Sequence, residues 1–316
     1  MRIIVLGGSG FIGTRLCQRL KSEFKILDKK SSLLFQNKTI ISDIRNFNSL
    51  SKAVSGSSVL INLAAEHRDN VRPKKLYYQV NVDGAKNLCR AAVENKINKI
   101  IFTSSVAVYG FNNKTIGESG DLNPINDYGK SKFIAEEIYK KWQAEDPAKR
   151  SLVIIRPTVV FGEGNRGNFY NLLNQIFLNR FIMLGSGKNK KSIAYVENVA
   201  AFIEFSLTSK PGVFIFNYID KPNLSMSSLV NIVNKLLGRP KKDIFRLPYI
   251  LGLIFGFFFD FFAFILNRKF TISSIRVKKF CSNSTYNSAV FKTDFVPPVK
   301  ILEGIRRTMI FEFLKK

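Results

Sequence analysis

Tyr128 and Lys132 stand four residues apart in Asp127-Tyr128-Gly129-Lys130-Ser131-Lys132. That spacing puts two side chains on one face of a helix, a turn apart. There an ammonium can stabilise a tyrosine phenolate. A free tyrosine ionises near pH ~10, so base catalysis near neutrality needs a shift of roughly three units. At ~1.4 kcal/mol per unit this asks for ~4 kcal/mol of differential electrostatics, within reach of a buried lysine with a second positive charge nearby. Tyr-x-x-x-Lys alone is common by chance, and its weight comes from the elements that precede it.

The chain opens on a short apolar strand, Met1-Arg2-Ile3-Ile4-Val5-Leu6, that runs into Gly7-Gly8-Ser9-Gly10-Phe11-Ile12-Gly13. Glycines at 7, 10 and 13 permit a tight turn and close backbone approach to a pyrophosphate. The helix that follows offers its amides and dipole to the anion. A second strand ends at Asp28, about twenty residues on, where an acid receives the ribose hydroxyls of a dinucleotide. An ordinary glycine turn with a surface aspartate is the competing reading, and the ordered succession of strand, glycines, helix, strand and acid disfavours it. A bound nicotinamide would supply the second positive charge.

Further strands are expected near 39–42, 58–63, 99–104 and 151–156, and helices near 11–22, 46–54, 74–96 and 128–146. This alternation predicts an α/β fold with a doubly wound parallel sheet, a Rossmann domain. After Arg156-Pro157 the texture shifts to Gly and Asn loops. The expected division is a dinucleotide-binding domain over 1–160 and a smaller substrate lobe over 161–316.

At 316 residues the chain can bury a large core. Cys17, Cys89 and Cys281 have no paired spacing, which points to reduced thiols, and Ile3–Leu6 is too short for a secretory core. His67 is the one histidine. It has no partner at metal-ligand spacing, so no metal is expected, and it reads as a loop residue near cofactor or substrate. The Lys+Arg excess gives a net charge of +26, which calls for an anionic partner. The basic residues are scattered without a nucleic-acid-binding motif, so nucleic acid is not expected. A compositional bias toward Lys, Asn, Ile and Phe is the alternative origin of the charge. His67-Arg68-Asp69 matches a kinase triplet, but Lys74 stands where that loop needs Asn.

Several motifs in order resemble the extended short-chain dehydrogenase/reductase family, in its nucleotide-sugar epimerase branch. They are the glycines, Ser42-Asp43-Ile44-Arg45, Asn62-Leu63-Ala64-Ala65, Asn81-Val82-Asp83-Gly84 and Ser104-Ser105-Val106-Ala107-Val108-Tyr109-Gly110. Tyr128/Lys132, Arg156-Pro157-Thr158-Val159-Val160-Phe161-Gly162 and Tyr195-Val196-Glu197-Asn198-Val199-Ala200 follow. The resemblance implies NAD as cofactor. It places Gly7, Gly10, Phe11, Ile12, Gly13, Asp28, Asp43, Ile44, Ala64, Ala65, Tyr128 and Lys132 around it. It also implies catalysis by Ser105, Tyr128 and Lys132, substrate contacts from Ser105, Val106, Asn168 and Lys191, and a homodimer built on the two long helices. Ser105 by itself reads equally as a strand-end cap.

Sugar dehydratases of this branch carry an Asp-Glu pair after the catalytic Ser/Thr. Here Val106 and Ala107 hold those places and cannot transfer protons, so elimination of water is disfavoured. Oxidation at a sugar carbon, rotation of the ketose and re-reduction on its other face is the expected reaction. Asp28 favours NAD over NADP, although Lys29 and Lys30 adjoin it. A 4-ketoreductase using the same triad, or a nucleotide-binding protein without catalysis, are the competing readings.

Residues 247–266 run Leu-Pro-Tyr-Ile-Leu-Gly-Leu-Ile-Phe-Gly-Phe-Phe-Phe-Asp-Phe-Phe-Ala-Phe-Ile-Leu. The apolar run before Asp260 falls short of the ~20 residues that span a bilayer. Basic residues on both sides (Arg239, Lys241, Lys242, Arg246, then Arg268, Lys269, Arg276, Lys278, Lys279) suit a segment lying in an anionic headgroup region. A buried helix or a dimer contact remains open. The family's Arg-Pro-Gly-Asp diphosphate segment is replaced by Arg276-Val277-Lys278-Lys279. Ala64 to Asp69, Gly162 to Asn168, Tyr218 to Pro222 and Ser274 to Cys281 resemble the subgroup that acts on N-acetylglucosamine linked through diphosphate to undecaprenol. That resemblance implies GlcNAc/GalNAc interconversion for surface polysaccharide, peripheral to the cytoplasmic face of a bacterial inner membrane. A soluble UDP-sugar substrate is the alternative.

Overall fold

Strands buried on both faces build the middle of the sheet. In the computed structural model, which describes residues 1–68, 71–111, 114–239, 245–266 and 273–315, these are β1 (Arg2–Leu6), β4 (Val59–Asn62), β5 (Lys99–Thr103) and β6 (Ser151–Pro157). β2 (Glu23–Asp28) and β3 (Thr39–Ile41) complete one side. Successive residues of β1 alternate between two cores: Ile4 and Leu6 pack under one layer of helices, Ile3 and Val5 under the other. Such a sheet needs helices on both faces. One layer is α2 (Phe47–Val54), α3 (Lys75–Tyr78) continued through a π-helical turn (Gln79–Asp83) into α4 (Gly84–Glu94), and α5 (Asp127–Ala144). The other contains α1 (Phe11–Arg19).

The chain runs outward from β1 through β2 to β3, then crosses back to place β4 on the other flank of β1. Two connections therefore diverge above the carboxyl ends of β1 and β4, and such a switch point leaves a crevice for a ligand.

β7 (Val159–Phe161), α6 (Asn168–Phe177), β8 (Met183–Leu184), β9 (Lys190–Tyr195) and α7 (Val196–Phe205) follow. The division expected at 160/161 does not coincide with the edge of the sheet. β10 (Gly212–Tyr218) returns to pair in parallel with β6 as the seventh strand, and α7 packs against α1 through Val199, Ala200 and Ile203. The lobe proper has its own three-stranded sheet, with β11 (Asp220–Ser225) antiparallel to β9 and β7 parallel to it. α8 (Met226–Leu236) and α11 (Ile301–Met309) cover a core containing Phe161, Leu173, Tyr195, Val230 and Ile305.

β12 (Arg246–Leu247) pairs with β8, and α9 (Tyr249–Ile265) and α10 (Ser274–Cys281) pack as a hairpin. Gly252, Gly256 and Asp260 recur every four residues on the inner face of α9. A Cβ at Gly256 would come within 2.7 Å of the Ser274 backbone, and Asp260 accepts the Ser274 N–H at 3.0 Å, satisfying the amino end of α10. The outer face leaves Ile250, Ile254, Phe255, Phe257, Phe258, Phe261 and Ile265 exposed. Among the described residues, no helix is long and apolar enough to cross a membrane. Lys241, Lys242, Arg268, Lys269 and Asp69 lie outside the described residues.

Candidate functional site

Gly7 takes φ +76°, a left-handed turn in which a side chain is strained. A Cβ at Gly13 would lie 2.5 Å from the Gly7 carbonyl oxygen and the Gly8 Cα, so only glycine lets α1 sit this close to the turn. The first turn of α1 has no side-chain cap, which leaves its amides to an anion. Above this floor opens a cavity of about 500 Å³, lined by Gly7, Gly10, Phe11, Ile12 and Gly13, by Asp28 at the end of β2, by Asp43 and Ile44, and by Ala64 and Ala65 after β4.

Asp28 is held for a ligand's hydroxyls, since its carboxylate accepts the Ser9 N–H at 3.1 Å and the Lys30 N–H at 3.3 Å. Asp43 reaches the wall already engaged. Arg45 donates to both carboxylate oxygens, with a closest contact of 2.7 Å, and this bond holds the Asp43 carboxyl below its ordinary pKa. The glycine cradle, uncapped helix end and terminal acid fit an extended dinucleotide.

The opposite wall carries the reactive groups. Ser105 leaves β5 in an extended conformation, and its hydroxyl oxygen accepts the Ala107 N–H at 3.1 Å, so its proton can be donated elsewhere. Tyr128 and Lys132 sit a turn apart at the start of α5, whose amino end is capped by Asn126 accepting from Gly129 N–H at 2.8 Å. Ser105, Tyr128 and Lys132 all line the cavity. Lys132 is 1 % exposed, donates to the Thr103 carbonyl at 2.8 Å and lies 4.6 Å from the Phe102 ring centroid. Burial lowers its pKa to about 7, against the pull of Glu136 one turn on. A lysine this poised responds strongly to neighbouring charge.

Asn81, quoted above only as part of a motif, is a fastening point. From the π-helical turn it donates to Ser131 at 2.9 Å and to the Glu66 carbonyl at 3.1 Å, and it accepts the Glu66 N–H at 3.0 Å. It thereby ties the cavity's Ala64–His67 wall to α5. An asparagine inside an otherwise apolar helical pattern was the available signal, because a buried amide needs partners. His67, Thr158, Asn165 and Gly167 also border the cavity.

Val106, Asn168 and Lys191, the other expected substrate contacts, are not among the residues that line this cavity. Val106 packs beside Val108 and Tyr109 under Ile219 and Tyr286. Asn168 opens α6 one residue behind Gly167. Lys191, on β9, donates to the Lys279 and Ser282 carbonyls at 2.8 Å each, and burial lowers its pKa to about 8. It anchors the end of α10 beside a second cavity of about 460 Å³ lined by Phe111, Leu184, Ser186, Tyr249, Lys278 and Ser282. That cavity joins the loop after the Ser105 turn to the root of α9.

Residues 3–217 match the NAD dependent epimerase/dehydratase family. The chain is 45% identical, over 99% of its length and 95% of the relative's, to the N-acetyl-alpha-D-glucosaminyl-diphospho-ditrans,octacis-undecaprenol 4-epimerase of Escherichia coli O157:H7. It is 28% identical to the UDP-glucose 4-epimerase of Vibrio cholerae over 80% of this chain and 82% of that one. In fold it resembles the UDP-glucuronic acid 4-epimerase of Bacillus cereus solved with NAD, at a TM-score of 0.76 and 20% identity over 98% of both chains. A likeness this long, over a cleft shaped for a dinucleotide, leaves one conclusion: the chain belongs to the NAD-dependent epimerase/dehydratase family and works as an NAD-dependent sugar 4-epimerase.

Proposed function

We propose that the enzyme interconverts GlcNAc and GalNAc while the sugar is attached through diphosphate to undecaprenol, docking peripherally on the anionic cytoplasmic face of a bacterial membrane to supply surface polysaccharide. The observation that carries this reading is α9, whose first residue Tyr249 lines the second cavity and whose outer face exposes Phe and Ile side chains, accompanied by exposed Arg246, Arg276, Lys278 and Lys279. Apolar side chains beside cations suit an interface between acyl chains and anionic headgroups. Cations suit the diphosphate of either a polyprenyl-linked or a nucleotide-linked sugar, whereas only the polyprenyl chain calls for the apolar face. The relative at 45% identity acts, by its name, on such a lipid-linked sugar.

In the reaction, the Gly7–Gly13 turn with Phe11 and Ile12 holds the pyrophosphate of NAD, Asp28 the adenosine ribose, Asp43 and Ile44 the adenine, and Ala64 and Ala65 the dinucleotide's inner edge. Bound NAD supplies a hydride acceptor, and then a hydride donor, at C4 of the sugar. Ser105 donates a hydrogen bond to the C4 oxygen, and the Tyr128 phenolate removes the proton from that oxygen. Lys132 stabilises the phenolate. After the ketose turns over, Tyr128 returns the proton as C4 is reduced on its other face. The zero net redox change lets the cofactor stay in place. Val106, Asn168 and Lys191, each next to residues that line the two cavities, complete the substrate side of the site. A homodimer would pair α4 and α5, whose exposed residues include Val93 and Ile134 among Lys86, Arg90 and Lys141.

The test incubates purified protein, without added cofactor, with GlcNAc-diphospho-undecaprenol in detergent or with UDP-GlcNAc, and identifies the released sugar. Conversion of the lipid substrate alone, lost in Tyr128→Phe by on the order of 10³-fold, is the expected result. Conversion of UDP-GlcNAc alone replaces this reading with a soluble epimerase. If Phe257→Glu/Phe258→Glu still bound anionic vesicles as the native chain does, α9 would not be the membrane contact.

A further inference from the structure

We infer that Glu136 is a positioning residue for the reaction: through Ser104, Arg156 and Tyr109 it braces Ser105 from both sides against the helix that carries Tyr128 and Lys132. The inference rests on the assignment of those three residues as the reacting groups.

Glu136 follows Lys132 by one helical turn and Tyr128 by two, and it has no solvent exposure. Its Oε1 accepts from the Ser104 hydroxyl at 2.5 Å and from Arg156 Nε at 2.9 Å, and its Oε2 accepts from Arg156 Nη2 at 2.5 Å. Arg156, at the end of β6 and 1 % exposed, donates through Nη1 to the Tyr109 hydroxyl at 2.7 Å, and Tyr109 donates to Asn217 on β10 at 2.7 Å. Ser104 immediately precedes Ser105, and Tyr109 closes the helical turn that Ser105 begins. One ion pair therefore holds, through side-chain hydroxyls, the residue before the serine and the residue that ends its helical turn.

A stabilising role alone explains this pair poorly. Desolvating two charges costs about what their attraction returns, and apolar replacement is often neutral or better. What the pair provides is a bidentate geometry with little angular freedom, joining β5, β6 and α5 where the reacting groups must meet. The stakes are kinetic, because a misplacement of about 1 Å at reacting atoms costs on the order of 100-fold in rate.

Ser104→Ala removes one brace and Tyr109→Phe the other, each sparing the ion pair, while Glu136→Gln loosens both. Turnover and KM are measured on whichever of the two epimerase substrates the native protein converts. A fall of about tenfold in kcat for each brace and about 100-fold for Glu136→Gln, with KM within about twofold, is expected. Native kcat in Ser104→Ala and Tyr109→Phe, or a fall matched by a proportionate rise in KM, overturns the inference. A crystal structure of Ser104→Ala or Glu136→Gln gives a readout independent of substrate: Ser105 moves relative to α5 if the brace is real and stays put if it is not. Activity surviving in Tyr128→Phe would instead overturn the underlying assignment.

Discussion

Replacing Lys132 by Met makes the cost of a buried ammonium measurable. The side chain is buried, its ammonium bonded to one carbonyl beside one ring face, and its pKa falls to about 7 from an ordinary 10.5 because burial disfavours the charge more than the Glu136 carboxylate favours it. In the unfolded chain the amine keeps its proton up to its ordinary pKa, while in the folded protein it releases it near 7. Between those values the unfolded state binds more protons, so folding stability contributed by this residue rises with pH. Integrating the difference from pH 7 to pH 9 gives roughly 1.7 proton–pH units, or about 2 kcal/mol. Lys132→Met abolishes that contribution. The assay is urea denaturation of dinucleotide-free native and variant protein at pH 7, 8 and 9. Lys191, whose pKa of about 8 lies in the same window, is common to both chains and cancels. The native-minus-variant stability should climb by about 2 kcal/mol across the range. A flat difference would refute the claim that burial lowers the Lys132 pKa.

Two further outcomes test the cofactor cradle. Gly13→Ala puts a methyl 2.5 Å from the Gly7 oxygen and Gly8 Cα, so α1 must lift from the turn. Stability should fall by about 1–3 kcal/mol and co-purifying NAD, read from the absorbance ratio at 260 and 280 nm, should be lost. Native retention of the dinucleotide would show that the turn is not its seat. Asp28→Asn keeps shape but removes the charge that receives ribose hydroxyls, and calorimetry should show NAD binding weakened by roughly tenfold or more. Unchanged affinity would exclude the contact.

Much of the site was legible because it is local. Gly7, Gly10 and Gly13 announce a turn whose only requirement is absence of side chains, and Tyr128 and Lys132 share a face by helical periodicity alone. The six sheet strands expected from alternation are present within a residue or two at their ends. The partners of Lys191 were not legible for a complementary reason. Its place before the Tyr195 motif points to a substrate contact, and the carbonyls to which its ammonium donates belong to a segment some ninety residues away. Asp260, costly in an apolar helix when read alone, becomes a cap once α10 folds beside it.

The sequence by itself determined the elements, the cradle and the spacing of base and lysine, because these follow from backbone sterics and the periods of helix and strand. Only the tertiary structure decided that β10 closes the sheet beyond residue 160, that α9 turns its glycines inward and its phenylalanines out, and that Glu136 meets Arg156 and Ser104. Those outcomes depend on burial and on pairings between residues distant in the chain. A buried carboxylate or a small-residue stripe advertises that it needs a partner, and the fold chooses which one.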